Sequence, residues 1–234
     1  MKKHGKKYKE AKKLVEKPLY EIGEAIVLMK KTSTVKFDAS AEVHMKLGLD
    51  TKQADQLIRG TVVMPNGTGK KVRVIAFVPE ALVKTAKAAG AIEAGLEDLI
   101  EKIVKGWMDF DVAVAIPEVM KGLGKIAKTL GQKGLMPNPK AGTVTTDIEK
   151  TIGEIIKGKV EFKLDKLANL HNIFGKVSFD PAHLEENLKA FLKAIAAAKP
   201  SGAKGIFVQS ITIASTMGPG IRLDVNKALV QAGE

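Results

Sequence analysis

A regular alternation of strands and helices in the middle of the chain is the feature that most constrains its fold. The pattern predicts strands at 72–78 and 112–116, a helix over about 119–130, and further helices at 81–89, 96–105 and 147–156. Such alternation favours a parallel sheet covered by helices. We therefore predict a Rossmann-like α/β domain in this part of the chain.

The two ends of the chain follow a different pattern. Strands are predicted at 41–49, 61–64, 177–179, 206–214 and 221–225, with helices at 20–31 and after Asp180-Pro181. These segments favour an antiparallel sheet with helices on it. Compact domains are inserted into others at exposed, punctuated loops. The prediction is thus an α+β domain from residues 1–66 and 160–234 with a Rossmann-like α/β domain inserted at 67–159, hinged at Pro65, Gly67, Gly69 and Gly158.

The positive charge of the chain is concentrated in two tracts. The net charge is +12, of which residues 1–17 carry +6, residues 121–144 carry +5, and the other 193 residues only +1. Basic tracts bind polyanions because neutralised phosphates release their counterions. Nucleic acid is the leading partner class. An anionic membrane surface ranks well below it, because the first tract offers few apolar anchors.

The second tract, residues 121–144, has two interpretations. Val119, Leu123, Ile126 and Leu130 predict the buried face of a helix, with lysines on the opposite face and glycines and prolines after it. It is either a phosphate-binding loop or a solvated helix face followed by a tight turn. The fragments GTGKK and GLGKIA resemble nucleotide-binding motifs, but their spacing and context fit poorly.

No catalytic or metal-binding group of residues stands out. The chain has no cysteine, its four histidines lack metal-ligand spacing, and no nucleophile motif is present. No apolar run is long enough to span a membrane. We expect no enzyme, no cofactor, no membrane partner and a cytoplasmic protein.

The turn at residues 215–220 is the most distinctive candidate outside the basic tracts. Gly218 and Gly220 leave the backbone bare at a strand end, and Met217 offers an adaptable apolar contact. Such a turn suits the backbone and 2′-hydroxyls of RNA, although an ordinary hairpin turn is an equal alternative. Aromatic residues make up only 5% of the chain, which favours a folded RNA read by shape over stacked single-stranded bases.

Several segments resemble the family of bacterial large-subunit ribosomal protein number one, the ribosomal stalk protein. They are KHGKKY at the start, KFDASAEVHMKLGLD, DQLIRGTVVMPNGTGKKVRV, GWMDFDVAVAIPEVM, GLGKIAKTLGQKGLMPNPKAGTV and STMGPGIRLD. Together they span nearly the whole chain. One departure lies at Leu167 and Ala168, where the family more often has a small residue followed by glycine.

The resemblance implies a structural protein of the large ribosomal subunit. It implies that the domain built from both chain ends binds a folded element of ribosomal RNA at the mobile stalk. It also implies that the protein represses its own operon by binding the messenger RNA, and that it assists release of deacylated transfer RNA from the exit site. We expect a monomer when free. The competing prediction is an α/β enzyme or binding module for a phosphorylated ligand.

The resemblance also assigns candidate residues by position. The principal RNA contacts are expected at Lys36, Phe37, Glu42, Ser210, Thr216, Met217 and Gly218. Secondary, electrostatic contacts are expected from the basic tracts, at Lys2, Lys3, Lys6, Lys7, Lys121, Lys125, Lys128 and Lys133.

Overall fold

The computed structural model describes residues 5–203 and 205–233. These residues form two compact units. Lys70–Lys159 make the inserted unit, and the described residues before and after them make the outer unit. The chain passes from the outer to the inserted unit after Gly69 and returns after Lys159. We predicted these two crossings after residues 66 and 159.

The helices and strands are numbered along the chain and include several that the sequence did not predict. They are α1 (Lys6–Lys13), α2 (Ile22–Lys31), β1 (Ser40–Leu47), β2 (Arg59–Val63), β3 (Val74–Phe77), α3 (Glu80–Ala88), β4 (Glu93–Gly95), α4 (Glu97–Val104), β5 (Val112–Ala115), α5 (Ala127–Gln132), α6 (Ile148–Ile156), β6 (Lys159–Lys163), β7 (Asn169–Lys176), α7 (Pro181–Ala197), β8 (Val208–Ser215), β9 (Ile221–Leu223) and α8 (Val225–Ala232). Short 3₁₀ helices lie at Ala54–Gln56 and Pro139–Ala141, and a longer one at Pro117–Lys125.

The outer unit is built on a four-stranded antiparallel sheet in the order β7-β1-β8-β9. In β1, buried residues alternate strictly with partly exposed ones. The buried side chains of β1, β7 and β8 form one core with apolar residues of α2, α7 and α8. One face of the sheet is therefore covered, as alternating strands predict.

Helix α7 covers much of that face. Its N-terminus is capped by the Asp180 side chain, which accepts a hydrogen bond from the Ala182 amide, and Pro181 occupies the first turn. These features confirm the predicted start of the helix. Its apolar stripe is fully buried, at Leu184, Leu188, Phe191, Leu192 and Ile195.

The first crossing is tied to the outer unit by a buried amide. Asn187 of α7 accepts a hydrogen bond from the Asn66 amide at 2.9 Å and donates to the Gly67 carbonyl at 2.8 Å. Gly67, Gly69 and Gly158 all have positive φ, which favours glycine. Their role as hinges stays a prediction.

The inserted unit contains a three-stranded parallel sheet in the order β4-β3-β5. All four residues of β3 are buried, as expected for a parallel sheet covered on both faces. At its edge, the Asp111 carboxylate accepts hydrogen bonds from Lys70 Nζ at 2.8 Å and from the Arg73 backbone and side chain at 3.1 Å. The Lys70 bond and those from Arg73 lower the pKa of Asp111 to about 2, against the opposing effect of burial.

Two sequence predictions were wrong in their details. Residues 177–179 form a turn, and the strand precedes them as β7. In β7 the hydropathy is inverted, because Asn172 is buried and donates to the Glu161 carbonyl while Ile173 is 42% exposed.

Residues 117–125 are 3₁₀ rather than α-helical. The short strand β4 and helix α8 carried no signal that we recognised.

The turn before β7 contains a strained residue at the position where the chain departs from the resembled family. Ala168 is 3% exposed and has φ 59°, in the left-handed region. Its carbonyl accepts the Leu47 amide at 2.9 Å, and its own amide donates to the Asp165 carbonyl at 3.2 Å. The backbone bonds thus hold an alanine in a conformation that suits glycine.

We predict that Ala168→Gly stabilises the protein. The left-handed conformation costs alanine about 1–2 kcal/mol, and the greater freedom of unfolded glycine returns about 0.5–1 kcal/mol of that. The free energy of unfolding, measured by urea denaturation, should rise by about 0.5 kcal/mol. Ala228→Gly is the matched control, since Ala228 is equally buried but lies in α8, and it should lower that free energy by about 1 kcal/mol. Destabilisation by both substitutions would contradict the prediction.

Candidate nucleic-acid interface

The second face of the outer sheet carries polar side chains that no helix of the core cluster covers. From β1 it presents Glu42, His44 and Lys46, all partly exposed. Lys46 pairs with Asn169 of β7 and with Ser210 of β8, and His44 pairs with His171 and Thr212. Strands from both chain ends therefore build one polar surface.

Thr216, directly after β8, joins this surface to β1. Its amide donates to the Ser40 carbonyl at 3.0 Å, and its hydroxyl accepts the Ser40 amide at 3.1 Å. The same hydroxyl donates to Glu42 Oε1 at 2.8 Å. Two predicted site residues that are far apart in the sequence are thus in direct contact.

Met217 projects from the turn that follows. It is 75% exposed and has φ 66°, and the only other described non-glycine residue with positive φ is Ala168. A methionine in this region is strained by about 1–2 kcal/mol, and such strain concentrates at functional sites. Exposure of a large apolar side chain on a strained turn indicates a contact point.

Gly218 is required by the packing of the turn. A Cβ on this residue would lie 2.3 Å from Ser215 Oγ and 3.1 Å from the Ser215 carbonyl, which accepts the Gly218 amide at 2.7 Å. Ser215 is buried, and its hydroxyl has no hydrogen-bond partner among the described residues. The bare backbone of Gly218 therefore lets the chain turn tightly behind Met217.

Lys36 and Phe37 lie in the loop that enters β1, and both are exposed, Phe37 by 59%. Their loop is fixed by Asp38, whose carboxylate accepts hydrogen bonds from the amide and hydroxyl of Ser178 at 3.1 and 2.9 Å. An exposed phenylalanine on an anchored loop offers a flat apolar face. This loop leads into Ser40, the partner of Thr216.

Ser210 lies away from the turn. It precedes Thr216 by six residues along β8, which separates the two by about 20 Å at the rise of an extended strand. The predicted principal residues therefore do not form one compact cluster. They extend along the polar face, from the turn to the opposite end of β1.

The predicted electrostatic residues occupy other surfaces. Lys121, Lys125, Lys128 and Lys133 are exposed, while Val119, Leu123, Ile126 and Leu130 beneath them are buried, which confirms the predicted two-faced segment. Lys6 and Lys7 are exposed on α1. Lys2 and Lys3 lie outside the described residues.

The described part of the chain offers no candidate metal centre. It contains no group of three or more His, Cys, Asp or Glu side chains that could hold a metal ion. A search of the same residues finds no helix long and apolar enough to cross a membrane.

Comparison with protein families identifies the chain. Residues 29–219 match the Ribosomal protein L1p/L10e family, which is most of the sequence. The chain belongs to this family. Its members are structural, RNA-binding ribosomal proteins, so this L1-family protein is a component of the large ribosomal subunit in the cytoplasm and not an enzyme. The competing prediction of an enzyme is thereby excluded.

The polar face of this L1-family protein also contains a histidine pair that the sequence did not assign to a site. His44 Nδ1 and His171 Nδ1 are 2.9 Å apart. Glu42 Oε2 lies 3.6 Å from His44 Nε2, and Asp165 Oδ2 lies 3.6 Å from His171 Nε2. The sequence gives these histidines no metal-ligand spacing, and strand β7, which positions His171, was not predicted.

Burial and neighbouring groups set the charge of this pair. Burial and the nearby His171 lower the pKa of His44, against an opposing effect of Glu42. Hydrogen bonds from the backbone and side chain of Asn169 and the backbone of Leu167 lower the pKa of Asp165, although burial opposes them. The face thus combines two carboxylates and two imidazoles in one chain of polar contacts.

We predict that Ser215→Ala rescues Gly218→Ala. Gly218→Ala alone should lower the free energy of unfolding by about 1–3 kcal/mol, because its Cβ collides with Ser215 Oγ. Removal of that unpaired hydroxyl relieves the collision, so a double-mutant cycle should give a favourable coupling of at least about 0.5 kcal/mol.

Gly23→Ala is the control for this cycle. Gly23 lies in α2, where a Cβ would make an ordinary 3.7 Å contact with Glu185, and its substitution should not destabilise the protein. Urea denaturation of each variant measures the effects. Additive costs at positions 215 and 218 would show that the clash with Oγ does not determine the turn.

Proposed function

We propose that the outer unit is the RNA-binding domain of this ribosomal protein and holds a folded element of large-subunit ribosomal RNA at the mobile stalk. The observation that carries this proposal is the exposed, strained Met217 beside the Thr216–Glu42 contact, at one end of a polar face that the core helices leave uncovered. Strain is retained where function requires a defined conformation. The principal contacts are Lys36, Phe37, Glu42, Ser210, Thr216, Met217 and Gly218.

The proposed mechanism combines polar contacts, apolar contacts and a fixed spacing between them. The bare backbone at Gly218, the Thr216 hydroxyl and the serine and lysine side chains along β1 and β8 recognise backbone and 2′-hydroxyl positions of a folded RNA. Met217 and Phe37 pack against sugar or base surfaces without a hydrogen-bonding requirement. The fixed spacing of these groups along the strands selects RNA by shape.

The same face is proposed to bind the messenger RNA of the protein's own operon and so to repress its translation. One rigid surface that reads shape accepts any RNA with the same fold. Ribosomal and messenger RNA would then compete for it. As part of the stalk, the protein is proposed to assist release of deacylated transfer RNA from the exit site and to be a monomer when free.

The inserted unit is proposed to be a Rossmann-like domain that makes secondary contacts with RNA. The parallel β4-β3-β5 sheet supports the first part, and the exposed lysines at 121, 125, 128 and 133 support the second. A Cβ on Gly124 or Gly131 would meet no described atom within 4 Å, so the backbone there is open to a partner. The tract 121–144 contains five lysines and no acidic residue, a composition that suits a phosphate backbone.

We predict that Met217→Asp weakens binding of a transcript of the stalk RNA element by roughly 10- to 100-fold, because it places a negative charge against RNA and removes an apolar contact. Met217→Gly should weaken binding less while retaining the turn, since glycine suits a φ of 66°. Filter binding or fluorescence anisotropy at fixed salt gives the Kd.

Val230→Asp is the matched control, because Val230 is 69% exposed on α8, a helix packed into the opposite side of the sheet. It introduces the same charge and should leave the Kd unchanged. Equal loss in the Val230 and Met217 variants would assign the effect to net charge. An unchanged Kd in Met217→Asp would reject the turn as a contact site.

We predict that changing Lys121, Lys125 and Lys128 together to Gln lowers the salt dependence of RNA binding. If each lysine neutralises one phosphate, the slope of log K against log salt should become less steep by about 2–3. The control changes Lys87, Lys102 and Lys105 to Gln, which removes the same charge from the same unit. Identical slopes in the two triple variants would contradict a specific role for the 121–128 surface.

A further inference from the structure

Four titratable side chains form a continuous chain across the polar face. Glu42 contacts His44, His44 contacts His171 through the 2.9 Å Nδ1 pair, and His171 contacts Asp165. Two nitrogens at this distance require one proton between them, so one ring donates and the other accepts. With both rings neutral, the chain of four groups carries a charge of −2 in the middle of the proposed RNA site.

The charged groups around the histidine pair come from every neighbouring element. Strand β1 contributes Glu42 and Lys46, and the Lys46 ammonium donates to the Leu167 carbonyl near Asp165. Strand β6 contributes Glu161, which lines one shallow cleft together with Glu42 and the two histidines. Glu161 is paired with Arg59 of β2. Opposite His44, β8 offers only the neutral Thr212, and Arg222 of β9 lies one strand further on. No described cation contacts the imidazoles directly.

An approaching RNA changes the charge balance of this chain. Phosphates placed near Glu42 and Asp165 raise the electrostatic cost of the neutral pair, because both carboxylates repel them. Because one proton already lies between the two Nδ1 atoms, an added proton goes to the vacant Nε2, which faces Glu42 on His44 or Asp165 on His171. RNA therefore favours the protonated pair, whereas burial and the nearby His171 lower the pKa of His44 in the free protein.

We propose that the His44–His171 pair belongs to the RNA interface and takes up one proton when RNA docks, which adds one positive charge to the face that meets the phosphates. The proposal rests on the proposed RNA-binding function of the polar face and names its ionic contact. It assigns a role to two residues outside the principal contacts carried over by resemblance.

The sign of the pH dependence follows from linkage. RNA raises the pKa of the pair, so the complex binds more protons than the free protein between the two pKa values. Affinity then rises as pH falls through that window, and uptake of one proton limits the change to about tenfold per pH unit.

The experiment measures the Kd of the stalk RNA transcript from pH 6 to pH 8 at constant ionic strength. Calorimetry in two buffers with different ionisation enthalpies counts the protons taken up. The intact chain should show tighter binding at pH 6 and an uptake of about half to one proton at the pH of greatest slope. The double variant His44→Gln/His171→Gln should bind with little pH dependence and negligible proton uptake.

His183→Gln is the matched control, because His183 lies in α7 on the covered side of the sheet and should retain the wild-type pH profile. Unfolding midpoints verify that each variant folds. Wild-type binding without pH dependence, or equal uptake in the double variant, overturns the proton uptake and leaves the RNA site standing. Failure of the intact chain to bind the transcript at any pH overturns the proposed function as well.

Discussion

The pairing of β1 with both β7 and β8 is the interaction on which the outer unit depends. Its two partners follow the inserted unit in sequence, so the central strand acquires its neighbours only across a long chain separation. The entropic cost of closing such a loop grows only slowly with loop length. A compact inserted unit also brings the two ends of the loop closer than an unfolded segment of the same length would. Because β1 alternates strictly, the pairing that buries Val43 and Met45 also aligns Glu42, His44 and Lys46 on the opposite face. The strand pairing that forms the core therefore also assembles the polar face.

The sequence predicted the elements whose local signals agree with their burial. Strand β1 has clean alternation and α7 has an Asp-Pro start with an apolar stripe, so both were found within a few residues. Strand β7 was missed because a hydrogen-bonded Asn172 takes a core position and Ile173 faces outward. That error also hid His171, and with it the histidine pair. The turn at residues 215–220 was singled out by its own glycines and Met217, whereas Lys36, Phe37, Glu42 and Ser210 came only from the resemblance. Periodicity carries no information about the φ of Met217 or the space behind Gly218.

Two different physical strategies for meeting a polyanion occupy separate parts of the chain. The exposed lysines on the 121–133 segment are proposed to supply attraction that depends on charge and salt but not on RNA shape. The outer unit has a nearly balanced charge beyond its N-terminal tract and offers fixed geometry instead. Fixed geometry needs support, and Met217 receives it from the backbone bonds of Thr216 to Ser40 and of Gly218 to Ser215. The strain of one residue is thus held by a turn anchored to the central strand.

Glu42 links the two parts of this face. One carboxylate oxygen accepts the Thr216 hydroxyl, and the other lies near His44, so a single side chain touches both the turn and the histidine pair. A carboxylate repels the RNA phosphates and so lowers affinity, unless it positions other groups whose contacts with RNA offset that repulsion. Here it orients the Thr216 hydroxyl and stabilises a proton on His44. A proton on the histidine pair neutralises part of the repulsion without disturbing the Thr216 bond. The proposed proton uptake therefore explains how an acid can remain in the proposed RNA-binding surface: the group beside it gains positive charge when the polyanion arrives.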